Sequence, residues 1–266
     1  LWPEIENKID KKEKINQEFE IQNTDRAVGT RISYHLYKKF GNNNLDENSI
    51  ELNFKGSAGQ SFGAFAIKGL KLILKGDAND YVAKGLSGGT IVIKLQDESN
   101  LVSNENTIIG NTVLYGATSG KLLAAGQAGE RFAVRNSGAT AVVEGCDSNG
   151  CEYMTGGNII ILGDIGDNFG AGMTGGMAFI YDPENQFDKK VNPESVVWQT
   201  PETKFWIEHL RKLIQEHAIE TNSTISKKIV ENFENEINNF VQVCPKEMLD
   251  KLENPISNKK LVGQAS

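Results

Sequence analysis

Two apolar runs 19 residues apart decide the fold: ATAVVEG at 139–145 and NIIILG at 158–163. Similar runs flank them, KLLAAG at 121–126 and MAFIYD at 177–182, so the steps between starts are 18, 19 and 19 residues. A second series, TVLYG at 112–116 and RFAVR at 131–135, shares this period. Repeats this short cannot bury their own apolar side chains, which is typical of stacked β-solenoids. We therefore predict coils that each contain strands from both series.

Glycine marks the extent of this solenoid. Of the 27 glycines, 24 lie between Gly56 and Gly176, whereas the six prolines and three tryptophans all lie outside that stretch. Proline-free, glycine-punctuated sequence suits a sheet whose amides all pair and whose corners need positive φ. The sequence thus predicts an all-β core folded as a right-handed parallel β-helix, a single-stranded solenoid of about 19 residues per coil.

The flanks predict different structure. Residues 13–22 alternate like an edge strand, and residues 26–40 have helical spacing. After the block we predict a helix capped by Thr200 with Pro201 at its first position, a helix over 226–241, and a third opened by Pro245. We expect the helices to cap the solenoid ends. The predicted divisions are an N-terminal cap (1–50), the β-helix (51–182), a C-terminal helical cap (183–254) and a loose tail (255–266).

Charge and composition exclude several classes of protein. With 28 basic and 35 acidic residues the net charge is −7, which argues against a nucleic-acid partner. The apolar runs are far shorter than the roughly 18–20 residues of a membrane span. Three cysteines make an odd count and suggest a reducing cytoplasm. We find no secretory signal, and a first residue other than Met suggests a processed or excised chain.

Chemical motifs are incomplete. Cys146 and Cys151 have no nearby histidine or second pair to complete a metal site. The G-x-G-x-x-G run at 170–175 precedes a strand rather than the helix that a dinucleotide needs, so we interpret it as a corner. The three histidines fall in the helical flanks, where packing or capping roles are the default. We therefore predict no catalytic, cofactor-binding or metal-binding residue.

The charged residues of the block leave two hypotheses open. Carboxylates such as Glu130 and Glu152 could form the acid and base of a carbohydrate enzyme, but the block has few aromatics for sugar stacking. The alternative is contact with a partner surface. The candidate contact residues are Glu130, Arg131, Arg135, Glu144 and Glu152.

The motif string resembles one family: the C-terminal β-helix domain of the glutamate synthase large (alpha) subunit, the GXGXG β-helix family. The matching stretches cover nearly the whole chain and include NTDRAVGT at 23–30, GSAGQSFGAF at 56–65, GDANDYV at 76–82, LYGATSG at 114–120, RNSGATAVVEG at 135–145 and CEYMTGG at 151–157. One departure is Ser148-Asn149-Gly150, where family members often carry Asp-His-Gly.

The resemblance implies a function for the chain. Such enzymes make two glutamates from glutamine and 2-oxoglutarate, using a glutaminase and a synthase part that holds FMN and an iron-sulfur cluster. The β-helix is expected to position those parts and to hold neither cofactor. The family also has a relative in formylmethanofuran dehydrogenase, where the same β-helix is a subunit of the complex. A third hypothesis is therefore that this chain is a subunit of another redox complex. A homodimer through exposed strand edges stays open.

Overall fold

The computed structural model describes residues 5–8, 15–41 and 45–257, and within these ranges twelve strands form one sheet. The strands are β1 (Ile15–Ile21), β2 (Ile50–Ala58), β3 (Leu70–Ala78), β4 (Ser87–Lys94), β5 (Thr107–Ile109), β6 (Ser119–Ala124), β7 (Gln127–Ala128), β8 (Ser137–Val143), β9 (Thr155–Ile161), β10 (Gly175–Tyr181), β11 (Val196–Gln199) and β12 (Phe240–Pro245).

The strands of the main path are stacked in sequence order from β1 to β10. The main path is β1-β2-β3-β4-β6-β8-β9-β10-β12-β11, and β5 pairs with β3 and β7 beside it. All pairs from β1 to β10 are parallel, whereas β12 runs antiparallel to β10 and to β11. Each connection therefore returns the chain to the start of the next strand. This confirms a β core built on a parallel sheet, while its right-handed winding stays a prediction.

The register confirms the period of the first strand series. Lys121 lies opposite Thr140, Thr140 opposite Asn158, and Asn158 opposite Met177, in steps of 19, 18 and 19 residues. The step from Thr90 to Lys121 is 31 residues, because the 3-10 helix Ser103–Glu105 and β5 are inserted there.

The second predicted strand series is wrong, because residues 112–116 and 131–135 form turns. Thr112 and Arg131 have φ of 58° and 61°, and every second residue of each segment is likewise left-handed. Val113 and Phe132, which follow Thr112 and Arg131, point into the core and are fully buried. Leu114 and Ala133 are also fully buried, so each segment is a short apolar run that resembles a strand in the sequence.

The sheet is buried on both faces where it meets the C-terminal helix α2 (Lys204–Thr221). The inner face carries one continuous column of fully buried register partners, Leu52, Leu72, Ile91, Leu122, Ala141, Ile159 and Ala178. On the outer face, Leu123, Val142, Ile160 and Phe179 share a cluster with Trp206 and Leu210 of α2. Burial on both faces explains why these strands are continuous apolar runs.

The expectation that the C-terminal helices cap the solenoid ends is therefore wrong for α2, which lies along the flank of the sheet. The end of the sheet after β10 is formed by β12 and β11 instead. At the other end β1 is an edge strand, as its alternation predicts, with Asn16, Glu18 and Glu20 exposed.

Helix boundaries differ from the predictions at several points. Helix α1 spans Thr30–Phe40, and α2 begins after Thr203 rather than at Pro201. The predicted helix over 226–241 becomes α3 (Thr224–Glu231), α4 (Phe233–Glu236) and a 3-10 turn, Ile237–Asn239. Its last residues enter β12, because pairing with β10 and β11 satisfies their backbone. Pro245 precedes the 3-10 helix Lys246–Lys251.

The start of the predicted loose tail is anchored. The side chains of Thr203 and Gln199 donate to the carbonyls of Pro255 and Ile256, and the Ile256 side chain is buried. The prediction is wrong for residues 255–257, whereas residues 258–266 lie outside the described part of the chain.

A buried histidine joins α2 to the sheet. The Nε2–H of His217 donates to the carbonyl of Ala124 (2.9 Å), and the Ser226 hydroxyl donates to Nδ1 (2.6 Å). Burial lowers the pKa of His217 to about 4 from its ordinary value near 6.5. The ring is thus neutral in the folded protein at neutral pH, and its predicted packing role is confirmed.

His217→Gln is expected to flatten the acid side of the stability curve. Below about pH 6.5 the unfolded chain binds a proton at His217 that the folded chain does not bind until about pH 4. Wild-type stability therefore falls across that window by about 3 kcal/mol from this group alone. Urea unfolding at pH 7 and pH 4 should show the wild type losing this much relative to the variant. A difference between the two proteins that does not change with pH would contradict the assignment.

Candidate interaction surface

A stack of turns forms the surface on which most of the candidate residues lie. We call it the turn ladder and define it as residues 61–65, 81–85, 112–116, 131–135, 149–153 and 168–172. The first, third and fifth residues of every segment have positive φ between 52° and 74°. Backbone groups bond from coil to coil: Arg131 N–H donates to the carbonyl of Ser148, and Arg135 N–H to that of Glu152, each at 2.9 Å. Consecutive turns therefore stack with the same regularity as the strands.

The position within each turn segment decides which side chains face solvent. The second residue of each segment points inward, as the buried Phe62, Val113 and Phe132 show. The first and fifth positions point outward, and they hold exposed residues such as Arg131 and Arg135.

Three of the five candidate contact residues lie on the turn ladder, and a fourth directly precedes one of its segments. Arg131 Nη2 and Glu152 Oε2 form an ion pair between successive coils at 3.1 Å, and Nε of Arg131 donates to the same oxygen at 3.3 Å. The Arg135 guanidinium lies over the ring of Tyr153, 5.6 Å from its centroid. Glu130 is exposed just before its segment. The Arg131 side chain is 53% exposed in this ion pair, whereas that of Glu152 is 14% exposed.

Glu144 does not belong to this surface. It follows β8, its side chain is 0% exposed, and it accepts a hydrogen bond from the Ser223 hydroxyl. Burial raises the pKa of its carboxyl group, and its Oε2 has no hydrogen-bond partner among the described residues. Its prediction as a partner contact is wrong, because the corner between α2 and α3 covers it.

Two clefts bear on the carbohydrate-enzyme hypothesis. A cavity of about 690 Å³ lies between the loop inserted after β4 and the α2–α3 corner, and Asp97 is the one carboxylate in its lining. A second, of about 460 Å³, lies on the outer side of α2 and is lined by Glu202, Glu208 and Glu234. Neither receives a carboxylate from the turn ladder, so these clefts give the hypothesis no support.

Sequence reasoning missed the aromatic side chains of the turn ladder. Phe65 and Tyr153 are 50% and 51% exposed, and Tyr81 and Tyr115 are also exposed. Lys84 Nζ lies 5.6 Å from the ring centroid of Tyr81 and 5.9 Å from that of Tyr115. The rings occupy the first, fourth and fifth positions of their segments, so no single spacing marks them in the sequence.

Asn136 is a second residue that was missed. It follows Arg135, is fully buried, and its Nδ2 donates to the carbonyls of Ala139 (2.9 Å) and Gly156 (3.1 Å). Its Oδ1 accepts from the Ala139 N–H at 3.1 Å. One side chain thus closes the corner into β8 and joins it to the next coil.

Asn136→Ala is expected to lower the free energy of unfolding by about 2 kcal/mol, because it leaves three buried backbone groups without their partner. Denaturant melts would measure this. Asn136→Asp keeps the shape but turns an oxygen toward two carbonyls, so at pH 7 it should be less stable than Asn136→Ala. An aspartate variant as stable as the wild type would show that the amide is not the donor.

The asparagine that departs from the resembled pattern has a structural role. Asn149 has a φ of 63°, which asparagine tolerates better than most residues. Its Oδ1 accepts from Asn168 Nδ2 at 2.9 Å, and Asn168 Oδ1 accepts from Asn192 Nδ2 at 2.8 Å. Amide side chains therefore link three successive coils at this position.

The three cysteines are buried thiols in the described structure. Cys146, Cys151 and Cys244 are free and buried, and burial raises the pKa of Cys146 to about 12. Within the described ranges no group of His, Cys, Asp or Glu is arranged to hold a metal ion. Among the described helices, none has the length and apolar character to cross a membrane.

Comparison with known proteins gives one consistent result. The sequence model of the GXGXG motif matches residues 1–246. The chain is 55% identical over 251 residues to the glutamate synthase (NADPH) large chain of Azospirillum brasilense, covering 94% of this chain and 17% of that one. It is 47% identical over 251 residues to ferredoxin-dependent glutamate synthase 2 of Synechocystis sp., covering 94% and 16%. It is 49% identical over 243 residues to glutamate synthase (NADH) of Schizosaccharomyces pombe, covering 91% of this chain and 12% of that one. The chain thus spans less than a fifth of the length of these relatives.

Proposed function

The chain belongs to the GXGXG motif family, and from this membership we propose that it is a non-catalytic assembly part of a glutamate synthase. The observation that carries the proposal is the alignment of 94% of the chain with 17% of a glutamate synthase large chain. A region that small leaves most of the enzyme elsewhere, so its role is to position other parts.

The names of the relatives support a role that does not depend on the electron donor. The names specify NADPH, ferredoxin and NADH, yet this chain is 47% to 55% identical to the matching region of each of the three relatives. A part that bound the electron donor would have to differ among them. We therefore place electron entry, FMN and the iron-sulfur cluster in other domains or subunits, together with the glutaminase.

We infer that the parallel strands and the turn ladder wind into a right-handed β-helix. Support comes from the strand order, in which sequential strands are parallel neighbours. About 98% of parallel crossover connections are right-handed. A rigid rod of this kind offers partners a long surface whose side chains repeat once per coil. The free thiols also suit our placement of the protein in the reducing cytoplasm.

The contacts of the assembly are placed on the turn ladder rather than on the free edge of β1. Two copies paired antiparallel along that edge would bring Glu18 and Glu20 of each close to those of the other. Like charges facing each other across strands are destabilising, and charged edges commonly prevent such pairing. We therefore propose contact with other synthase domains before a homodimer.

The test is to tag the natural protein that contains this chain, isolate it from its own cells, and record its partners and visible spectrum. We expect glutaminase and synthase sequences, in one polypeptide or several, with flavin and iron-sulfur absorbance and glutamate synthase activity. The 266-residue chain alone should be colourless and inactive. A different set of redox partners would favour another complex, such as a formylmethanofuran dehydrogenase. A preparation with no partner would contradict an assembly role.

A further inference from the structure

The turn ladder carries a compact group of exposed rings and cations. We call it the aromatic-cation strip and define it as Phe65, Tyr81, Lys84, Tyr115, Arg135 and Tyr153. Its four aromatic residues are between 38% and 51% exposed. Aromatic residues and arginine are the side chains most enriched at the energetic centres of protein interfaces.

Two rings of the strip, those of Phe65 and Tyr153, lie against glycine backbone. A Cβ built on Gly85 would be 2.4 Å from the ring of Phe65, and one on Gly172 would be 2.5 Å from the ring of Tyr153. Each ring therefore rests on the glycine of the next coil. Contact with backbone restrains these side chains before binding, which lowers the entropy lost when a partner docks.

One position of the strip is open. Gly116 occupies the same fifth position as Gly85 and Gly172, but no atom lies within 4 Å of a Cβ built there. Gly85 N–H donates to the carbonyl of Tyr115, and Arg135 is the fifth residue of the following segment, so Lys84 and Arg135 lie on the coils either side. Open space therefore lies at Gly116, on the coil between those that carry Lys84 and Arg135, and we call this space the notch.

Lys84 and Arg135, the two cations of the strip, have no carboxylate partner among the described residues. Neither Lys84 nor Arg135 forms an ion pair with any residue in the described ranges, although Arg131 pairs with Glu152 at 3.1 Å and Lys71 with Glu220 at 2.7 Å. Both are held over tyrosine rings instead. A guanidinium stacked on a ring keeps its N–H groups available for a carboxylate.

We propose that the aromatic-cation strip docks an acidic segment of the neighbouring synthase domain or subunit, with one carboxylate entering the notch at Gly116 between Lys84 and Arg135. The inference rests on the proposed function, because it names the surface and chemistry of that assembly contact. The exposed rings cover the apolar stem of the inserted side chain, and the two cations neutralise its charge.

A long polyanion fits this surface less well than a short acidic segment. Asp80, Glu130 and Asp167 each precede a turn segment and run beside the strip from coil to coil. A continuous phosphate backbone along the ladder would meet these carboxylates. A single acidic segment crossing the ladder at the notch can avoid them.

The test uses a photo-crosslinking phenylalanine analogue at Tyr115 in the isolated natural protein. The same analogue at Ile219, which is 81% exposed on α2, is the control position. We expect Tyr115 to cross-link to an acidic segment of a synthase or glutaminase region, and Ile219 to give at least tenfold less product. The cross-linked peptides are identified by mass spectrometry.

Three substitutions test the chemistry of the contact. Arg135→Glu and Gly116→Asn should each reduce the Tyr115 cross-link at least tenfold, the first by charge and the second by filling the notch with a residue that tolerates left-handed φ. Lys204→Glu, at an exposed cation on α2, should leave it unchanged. Circular dichroism confirms that each variant is folded.

The outcomes separate the two proposals. If the partners are present and Tyr115 gives no cross-link, or Arg135→Glu has no effect, the docking inference is wrong and the assembly function stands. A cross-link to nucleic acid would also overturn the inference. If no glutamate synthase partner is present at all, the proposed function fails and the inference fails with it.

Discussion

Gly138→Ala is expected to destabilise the protein by about 4 kcal/mol, well above the usual effect of a single substitution. Gly138 is the second residue of β8, and a Cβ built there would lie 2.1 Å from the carbonyl oxygen of Thr118 in the previous coil. Gly175 has the same relation to Thr155, also at 2.1 Å. The neighbouring atom is backbone held in the stack, so relief requires two coils to separate.

Gly116→Ala is the control that distinguishes the steric clash at Gly138 from the conformational cost of replacing a glycine. Gly116 has a φ of +62° and open space around a Cβ, whereas Gly138 has no left-handed φ and no space. The Gly116 variant should lose only about 1 kcal/mol, the cost of a left-handed alanine. Urea melts of the two variants provide the comparison. Equal losses would mean that the coils are not packed this closely at β8.

The period of the sheet could be predicted because the strands are buried on both faces. Ile159, Ile160 and Ile161 are consecutive and all fully buried, so each strand appears as a short apolar block that can be counted along the sequence. The edge strand β1 was predictable for the opposite reason, since its exposed side chains alternate with buried ones.

The position of α2 could not be read from its own sequence. An amphipathic helix has the same spacing whether it covers the end of a solenoid or its flank. The informative signal was in the strands, where Ile160 lies between two inward residues and requires a cover on the outer face. The helix predicted to end at Val241 failed similarly, because the helical spacing of Phe233, Ile237 and Phe240 yields to strand pairing with β10.

The candidate surface was predictable only in part. Arg131, Arg135 and Glu152 were predicted as contacts because charged residues in a glycine-rich block need an explanation; they lie on the turn ladder, and their contact with a partner stays a prediction. Glu144 is the same residue type, but its burial depends on Ser223, 79 residues later in the chain. Exposure of Tyr153 and Phe65 depends on the left-handed turns, which give non-glycine residues a conformation that local preference disfavours.

Phe179→Ala is expected to cost about 4 kcal/mol, within the range for a large aromatic removed from a core. Phe179 lies in β10 on the outer face of the sheet, is 0% exposed, and its ring centroid is 6.0 Å from that of Trp206 in α2. The matched control is Ile219→Ala on the solvent side of α2, where an 81% exposed side chain should change stability by less than about 0.5 kcal/mol.

A double-mutant cycle with Trp206→Ala then tests whether α2 is fixed to the flank of the sheet. The two rings share one cluster, so their coupling should be about 1 kcal/mol, and the double variant should lose less than the sum of the single losses. Strictly additive losses would mean that Phe179 and Trp206 do not stabilise each other, and the flank position of the helix would lose its main support. Coupling combined with a silent Ile219→Ala would establish that α2 covers the sheet through one face and leaves the other to solvent or to a partner.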